Sequence, residues 1–377
     1  MRYIFPFILL FYSLLCCAAN YTVDILPIRT DRFVRLGSFH CGRACAYPLE
    51  SINHKYGFIN EEGEMVIEPN LNPFEVPCEM DDDVNMNFHE GFAVVYLPNG
   101  NYSFINTMGV KMSMEFCFVW NFNCGYARVE TLDHKFVNLS SQGNLVALRK
   151  GFPLDRPCSG WLRYKENERY GYVNETGDKF IKPIYDEVGA FCGNYARVVL
   201  KGEEMLLDKW GNVCDKNTVV IPCDSCTYAF NIIGSPNRCG YLCILQADTI
   251  IPPVYRWCGK FSEGLAAVED DSVAYLINLK GEKVFRFEKG FSPDDIHNGF
   301  IVVRNDKKGT YCLMDTKGEI VLPDKYEFIG PVSEEGIVLT KEQNKHGSAQ
   351  NVKTIIQGIV LTEGDKGYKY LKIRRND

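Results

Sequence analysis

A glycine that returns at a nearly constant interval limits what this chain can fold into more than any other feature. It stands at Gly63, Gly109, Gly143, Gly177, Gly211, Gly281 and Gly318, at separations of 46, 34, 34, 34, 70 and 37 residues. The separation of 70 is two units of about 35, with Gln246-Ala247 near the missing glycine, so the count is about eight units. A fixed period of this size marks a propeller, a solenoid or another repeat array, in which each unit buries its apolar face only against its neighbours.

The stretch Tyr170 to Val198 shows the unit most clearly. Tyr170-Gly-Tyr-Val-Asn174 alternates like a strand, and Glu175-Thr-Gly177-Asp178 reads as a tight turn in which glycine supplies φ > 0. Lys179 to Lys182 reads as the returning strand, ended or held to a sheet edge by Pro183, which has no N–H for a ladder. Gly193 to Val198 resumes alternation. One hairpin and one further strand are too small to fold alone. The last strand of successive units carries Ala44/Ala46, Ala93/Val95, Ala127/Val129, Ala196/Val198 and Ala266/Val268 on one face. Its other face carries Phe92, Tyr126, Trp161, Tyr195, Leu265 and Phe300, so both faces are expected to pack against neighbouring sheets. The expected fold is all-β: about eight short antiparallel units, propeller-like, with an open β-solenoid as the alternative.

Residues 1–19 are expected to be an export signal. Arg2 is followed by the apolar run Tyr3 to Leu15, too short for an ordinary membrane span, and Cys17-Ala18-Ala19 offers small residues for cleavage. A retained or lipidated N-terminus is the alternative, and the sole membrane association expected. Residues 20–38 form a lead-in without the repeat, residues 39–340 the array, and residues 341–377 a polar loop and closing strands. Phe39 to Ala46 matches the last strand of a unit, so one unit is expected to be cut across the termini. Ile355 to Leu361 and Gly367 to Ile373 would complete it.

A net charge of −7 without a basic cluster disfavours nucleic acid. Sixteen cysteines, fourteen outside Cys16 and Cys17, suggest disulfides in an exported chain, with buried thiols as the other reading for Cys45, Cys192 and Cys312. The pattern of pairing is not readable from sequence.

The unit (aromatic)-Gly-(Tyr/Phe)-Ile/Val-Asn-x-x-Gly-x-x-x-Ile-x-Pro-x-Tyr, followed by Phe-x-Glu-Gly-x-Ala-x-Val, resembles the WG repeat, over roughly residues 39 to 340. Tyr170–Val198, Lys55–Pro69 with Glu90–Val95, Lys317–Tyr326 and Phe261–Val268 match best. Where that family has Trp-Gly, this chain has Tyr56-Gly57, Tyr170-Gly171 and Cys239-Gly240. Its one Trp210-Gly211 falls on the turn glycine instead. The resemblance implies a β-rich, propeller-like binding platform and brings no catalytic residues with it.

Few residues suggest chemistry. Cys223-x-x-Cys226 and Cys239-x-x-x-Cys243 are weak candidates for a four-thiolate zinc site, against disulfides or buried thiols. No metal or cofactor is expected. His40-Cys41-x-x-x-Cys45 suggests a Cys41–Cys45 pair or a packed strand. Asp81-x-Asp83-x-Asn85-x-Asn87 spaces oxygen ligands like a calcium loop, yet Met86 and Phe92 stand where glycine and glutamate belong. Asn20, Asn101, Asn138 and Asn174 open formal N-glycosylation triplets. Histidines are scattered and no nucleophile elbow, phosphate loop or His-Glu-x-x-His occurs, so no enzyme is expected. The expected function is a secreted, periplasmic or cell-surface scaffold binding an unknown protein or glycan through loops such as Asn70–Asn87 and Thr340–Gln350. The alternatives are a carbohydrate-active enzyme with acids converging at the centre, and a structural surface-layer component.

Overall fold

The computed structural model describes residues 20–51, 55–73, 85–123, 125–146, 152–153, 160–174, 180–214, 227–231, 238–243, 245, 248–343, 359–361 and 367–376. Residues 1–19, Gly177, Cys223, Cys226, Gln246-Ala247 and the centres of both loop insertions lie outside them. Among the described residues the fold is antiparallel β-structure with a single short 3-10 turn, Thr30–Arg32. The expected all-β, propeller-like array is what forms.

A typical blade has four strands, here named a to d: Trp257–Cys258, Leu265–Glu269, Ala274–Asn278 and Lys283–Arg286. This shifts the sequence unit. The strand carrying Ala-x-Val pairs with the opening strand of the following unit, not with the hairpin before it. Tyr195–Leu200, for example, pairs with Glu203–Asp208. The reason is local. Lys201 and Gly202 both take positive φ (+53° and +80°), a two-residue turn whose twist suits a tight hairpin.

The c–d turn explains the repeated Asn/Asp-x-x-Gly. The Asn60 carbonyl accepts the Gly63 N–H at 3.0 Å, while its side-chain Oδ1 accepts the Glu64 N–H at 2.8 Å. Asn106, Asp208, Asn278 and Asp315 repeat both bonds at 2.8–3.0 Å. The glycine of this turn has φ between +79° and +89° at the six described positions, where a side chain is strained. The same glycine also meets the next sheet. A Cβ on Gly109, Gly211 or Gly281 would stand 3.2–3.3 Å from Ile67, Ile181 or Ile251 respectively. Those isoleucines open the Ile-x-Pro of the preceding blade's strand d, which couples two parts of the repeat motif across the blade interface.

The described strands form eight hydrogen-bonded sheets, and the seven-stranded one divides into two blades, giving nine. The division falls within Ile320–Ile329, where Ile320, Leu322 and Tyr326 pair with Thr310–Asp315 while Tyr326, Phe328 and Ile329 pair with Ile337–Glu342. The ninth blade continues through Tyr368–Arg375 to Tyr21–Ile25. The stretch expected to lie outside the repeat therefore supplies an outer strand. The blade shared by the termini takes Tyr21–Ile25 from the start of the chain. Arg43–Pro48 instead begins strand b of the adjacent blade, because its close pairing with Tyr56–Ile59 draws it forward. Ile359–Leu361 pairs with Phe33–His40 in that blade.

The seam is packed like the other blade interfaces. The Tyr172 hydroxyl donates to the Gly189 carbonyl at 2.7 Å and that of Tyr241 to Gly259 at 2.8 Å, each running from strand c to strand a of the next blade. Tyr370 makes the same bond to Gly37 across the seam at 2.5 Å. Ile28, Phe33, Leu36, Phe39 and Ala44 from the start of the chain share one core with Ile337, Leu339, Tyr368 and Tyr370 from its end. The array closes into a ring. Between blades the small residues of strand b (Ala44, Ala93, Ala127, Ala196, Ala266) are fully buried, as their size suggests.

A disulfide, Cys239–Cys258, joins strand c of one blade to strand a of the next. It takes Cys239 out of any four-thiolate set with Cys223, Cys226 and Cys243. Cys243 is buried with Cys192 and Leu245. Cys41 and Cys45 are not bonded to each other, contrary to the pairing considered from their spacing, because Cys45 is enclosed in the blade core while Cys41 sits on a turn. Opening the 19-residue loop by Cys258→Ser is expected to lower stability by about 3 kcal/mol, read as a shift in the urea midpoint. An unchanged midpoint would show that the bond contributes nothing to the fold.

Candidate functional site

The a–b turns carry the Glu-Gly of the motif Phe-x-Glu-Gly. Cys41, Glu90 and Glu263 have φ of +53°, +51° and +55°, each followed by a glycine with positive φ. With two left-handed residues in succession, these are hairpin turns of the primed kind. Their acidic side chains reach the next blade. Glu90 Oε2 accepts the Gly125 N–H at 2.7 Å, and Glu263 Oε1 accepts that of Gly299 at 2.8 Å. Glu335 Oε1 accepts the Gly42 N–H at 2.8 Å across the seam. Cys41 stands where the turns at Gly91, Gly264 and Gly336 have a glutamate, and its Sγ takes the Gly91 N–H at 3.3 Å. Equivalent turns of these successive blades therefore lie within one side chain's reach of each other.

A cavity of about 290 Å³ opens among these turns where the seam blades meet the next two. Its walls are His40 and Cys41 from one blade, Phe88, His89 and Glu90 from the next, Asn121, Phe122 and Asn123 from the third, and Glu334 from the ninth. The rings of His40 and His89 stack at 6.0 Å with 22° between planes, and His89 Nε2 lies 2.9 Å from Asn85 Oδ1. Burial pushes the His40 imidazole below its ordinary range, against the pull of Glu335 and Glu334, which favours the neutral ring. Burial also raises the Cys41 thiol despite the Gly91 N–H, making it a poor nucleophile.

Glu335 is the acid of the seam. Burial works to raise its pKa, but the Ser333 hydroxyl and the Gly42 N–H outweigh it and hold the carboxyl below its ordinary value. A carboxyl with a depressed folded pKa contributes stability that is present above its unfolded pKa and lost as pH falls through the folded one. Wild-type protein is therefore expected to lose denaturation midpoint between neutral and acid pH more steeply than Glu335→Gln. Parallel pH profiles would remove Glu335 as a contributor.

Among the residues that the sequence singled out, His40 and Cys41 line the cavity. Of the other candidates, the turn glycines Gly63, Gly109, Gly143, Gly211, Gly281 and Gly318 take positive φ in the c–d turns. Asn85 Oδ1 accepts the Asn87 N–H and faces His89, while Asp81 and Asp83 lie outside the described residues. Asn138 is 2% exposed, which closes it to glycosylation. The Asn70–Asn87 insertion leaves from the other end of the ring, while its C-terminal flank returns to the cavity, where Asn85 faces His89. Asn72 bridges to Tyr96, at the far end of the strand whose near end carries the His89–Phe92 turn. His89, Glu90 and Glu334 were missed. The one signal was the repeated Glu-Gly, readable as a turn but not as a wall of a cavity.

The closed ring of antiparallel blades, with its site built from turns, defines a propeller-like repeat protein. The sequence profile of the WG containing repeat matches residues 56–72, 170–203, 246–272 and 311–345, and the chain is a WG-repeat protein over those segments. No curated protein matches it. Among solved structures it is similar to BamB from Moraxella catarrhalis, at 9% identity over 94% of this chain and 99% of that one, with a TM-score of 0.31. It is also similar to a eukaryotic initiation factor, at 8% identity over 82% and 89%, with a TM-score of 0.45. A third is Hsv2 of Kluyveromyces lactis, at 9% identity over 79% and 96%, with a TM-score of 0.26. Likeness this distant carries no functional argument, and the fold rests on this chain's own hydrogen bonds.

Proposed function

We propose that this chain is an exported, non-catalytic binding scaffold that holds a protein or glycan partner at the a–b turn end of its ring. The observation that carries the reading is the cavity walled by turns from four blades. Such a concave site with a few convergent polar groups is the usual form of a binding site. Export is supported by the apolar leader and by the Cys239–Cys258 bond, which suits an oxidising compartment. The raised Cys41 thiol is a poor nucleophile, which favours binding over covalent chemistry at this residue.

The test is affinity capture from the protein's native surroundings, comparing wild type with a His40→Ala/Glu334→Gln double variant whose fold is verified by thermal melting. A partner enriched by wild type and lost in the folded double variant supports the reading. Equal enrichment by both would place the binding surface elsewhere and sink it. An intact mass lacking residues 1–19, with Cys239 and Cys258 protected from alkylation before reduction, is the outcome expected for export, and a full-length mass would argue against it.

A further inference from the structure

We propose that the turn-lined cavity takes an uncharged saccharide. This rests on the scaffold reading above and names the ligand class of the same site.

Glu90 and Glu334, when ionised, only accept; the amides of Asn121 and Asn123 both donate and accept; a neutral imidazole does one of each. Among the described residues lining the cavity there is no lysine or arginine. A phosphate or another acceptor-only anion would face two carboxylates with no cation to offset them. An ammonium or guanidinium would suit the carboxylates but leave amide and imidazole N–H groups facing a donor. One Glu90 oxygen is already held by the Gly125 N–H, which reduces what remains for a cation. Hydroxyls donate and accept in turn, so a polyol ring satisfies every type of group in the wall.

The shape agrees. The volume of about 290 Å³ is at the small end of ligand sites, suited to one or two sugar rings. His40 and His89 stand in the cavity wall with their ring centroids 6.0 Å apart, and the open face of an aromatic ring can carry the apolar face of a sugar. Burial keeps His40 neutral, which preserves its lone pair as an acceptor.

The experiment is calorimetric titration of the whole purified protein with neutral hexoses, N-acetylhexosamines and their disaccharides. Glucuronate and lysine methyl ester are titrated in parallel. At least one neutral sugar is expected to bind, with affinity falling about tenfold in Glu334→Gln and further in His40→Ala. Glu263→Gln, which alters a turn contact away from the cavity, is expected to leave that affinity unchanged. Binding of the amine or the anion alone, or of no neutral sugar, overturns the proposal. If the double variant still loses its captured partner while no sugar binds, the scaffold reading survives and the saccharide assignment fails.

Discussion

Gly57→Ala is expected to destabilise the protein by about 4 kcal/mol, well beyond the usual cost of a core methyl group. A Cβ there would stand 2.1 Å from the Ile67 carbonyl oxygen and 2.9 Å from the Glu68 carbonyl carbon. Gly171 and Gly240 are in the same position, each 2.4 Å from the carbonyl oxygen of Ile181 or Ile251. In all three blades the c–d pairing shifts register at this point, so strand d bulges over the glycine as it approaches Ile-x-Pro. The obstacle is backbone and has no rotamer that relieves it. The measurement is the urea midpoint of Gly57→Ala against Gly91→Ala. Gly91 has φ +86° but nothing within 4 Å of a Cβ, so its cost is expected to be about 1–2 kcal/mol, from left-handed strain alone. Equal costs at the two positions would show that strand d does not cross Gly57 in solution.

That glycine also shows how far the sequence could be read. The motif position was visible, as was the departure from tryptophan to Tyr56, Tyr170 and Cys239 before it. Its physical cause was not, because the clash is with residues ten or so positions along a bulged strand. The turn glycines were legible, since Asn-x-x-Gly closes on itself within five residues. The grouping of strands into blades was misread by one strand. Alternation places a strand but does not say which hairpin it joins, and the turn at Lys201-Gly202 decides that. Tyr21–Ile25 carries no motif of its own, and Tyr368–Arg375 completes its pairing from the far end of the chain. The cavity was invisible for a related reason. The nine wall residues come from four blades, and only ring closure brings Glu334 beside His40.

Tyr370→Ala is expected to cost about 5 kcal/mol and to loosen the seam. The ring is 1% exposed, packs edge-on against Phe39 at 5.1 Å, and its hydroxyl satisfies the Gly37 carbonyl. Truncating a buried aromatic removes about 3–5 kcal/mol, and the lost hydrogen bond adds about 1 kcal/mol. Global stability alone would not distinguish this from any core truncation, so the second readout is amide hydrogen exchange in Tyr21–Ile25 and Phe33–His40. Those strands join the C-terminal part of the chain and should lose protection first. The sharper test removes only the hydroxyl. Tyr370→Phe, Tyr172→Phe and Tyr241→Phe delete the same bond at the seam and at two interior interfaces. If the termini close the ring as firmly as consecutive blades join, the three variants lose similar amounts, about 1–2 kcal/mol each. A neutral Tyr370→Phe beside two costly interior variants would mean that the seam stands open in solution. The cavity would then lose its ninth-blade wall, and Glu334→Gln would no longer affect binding there.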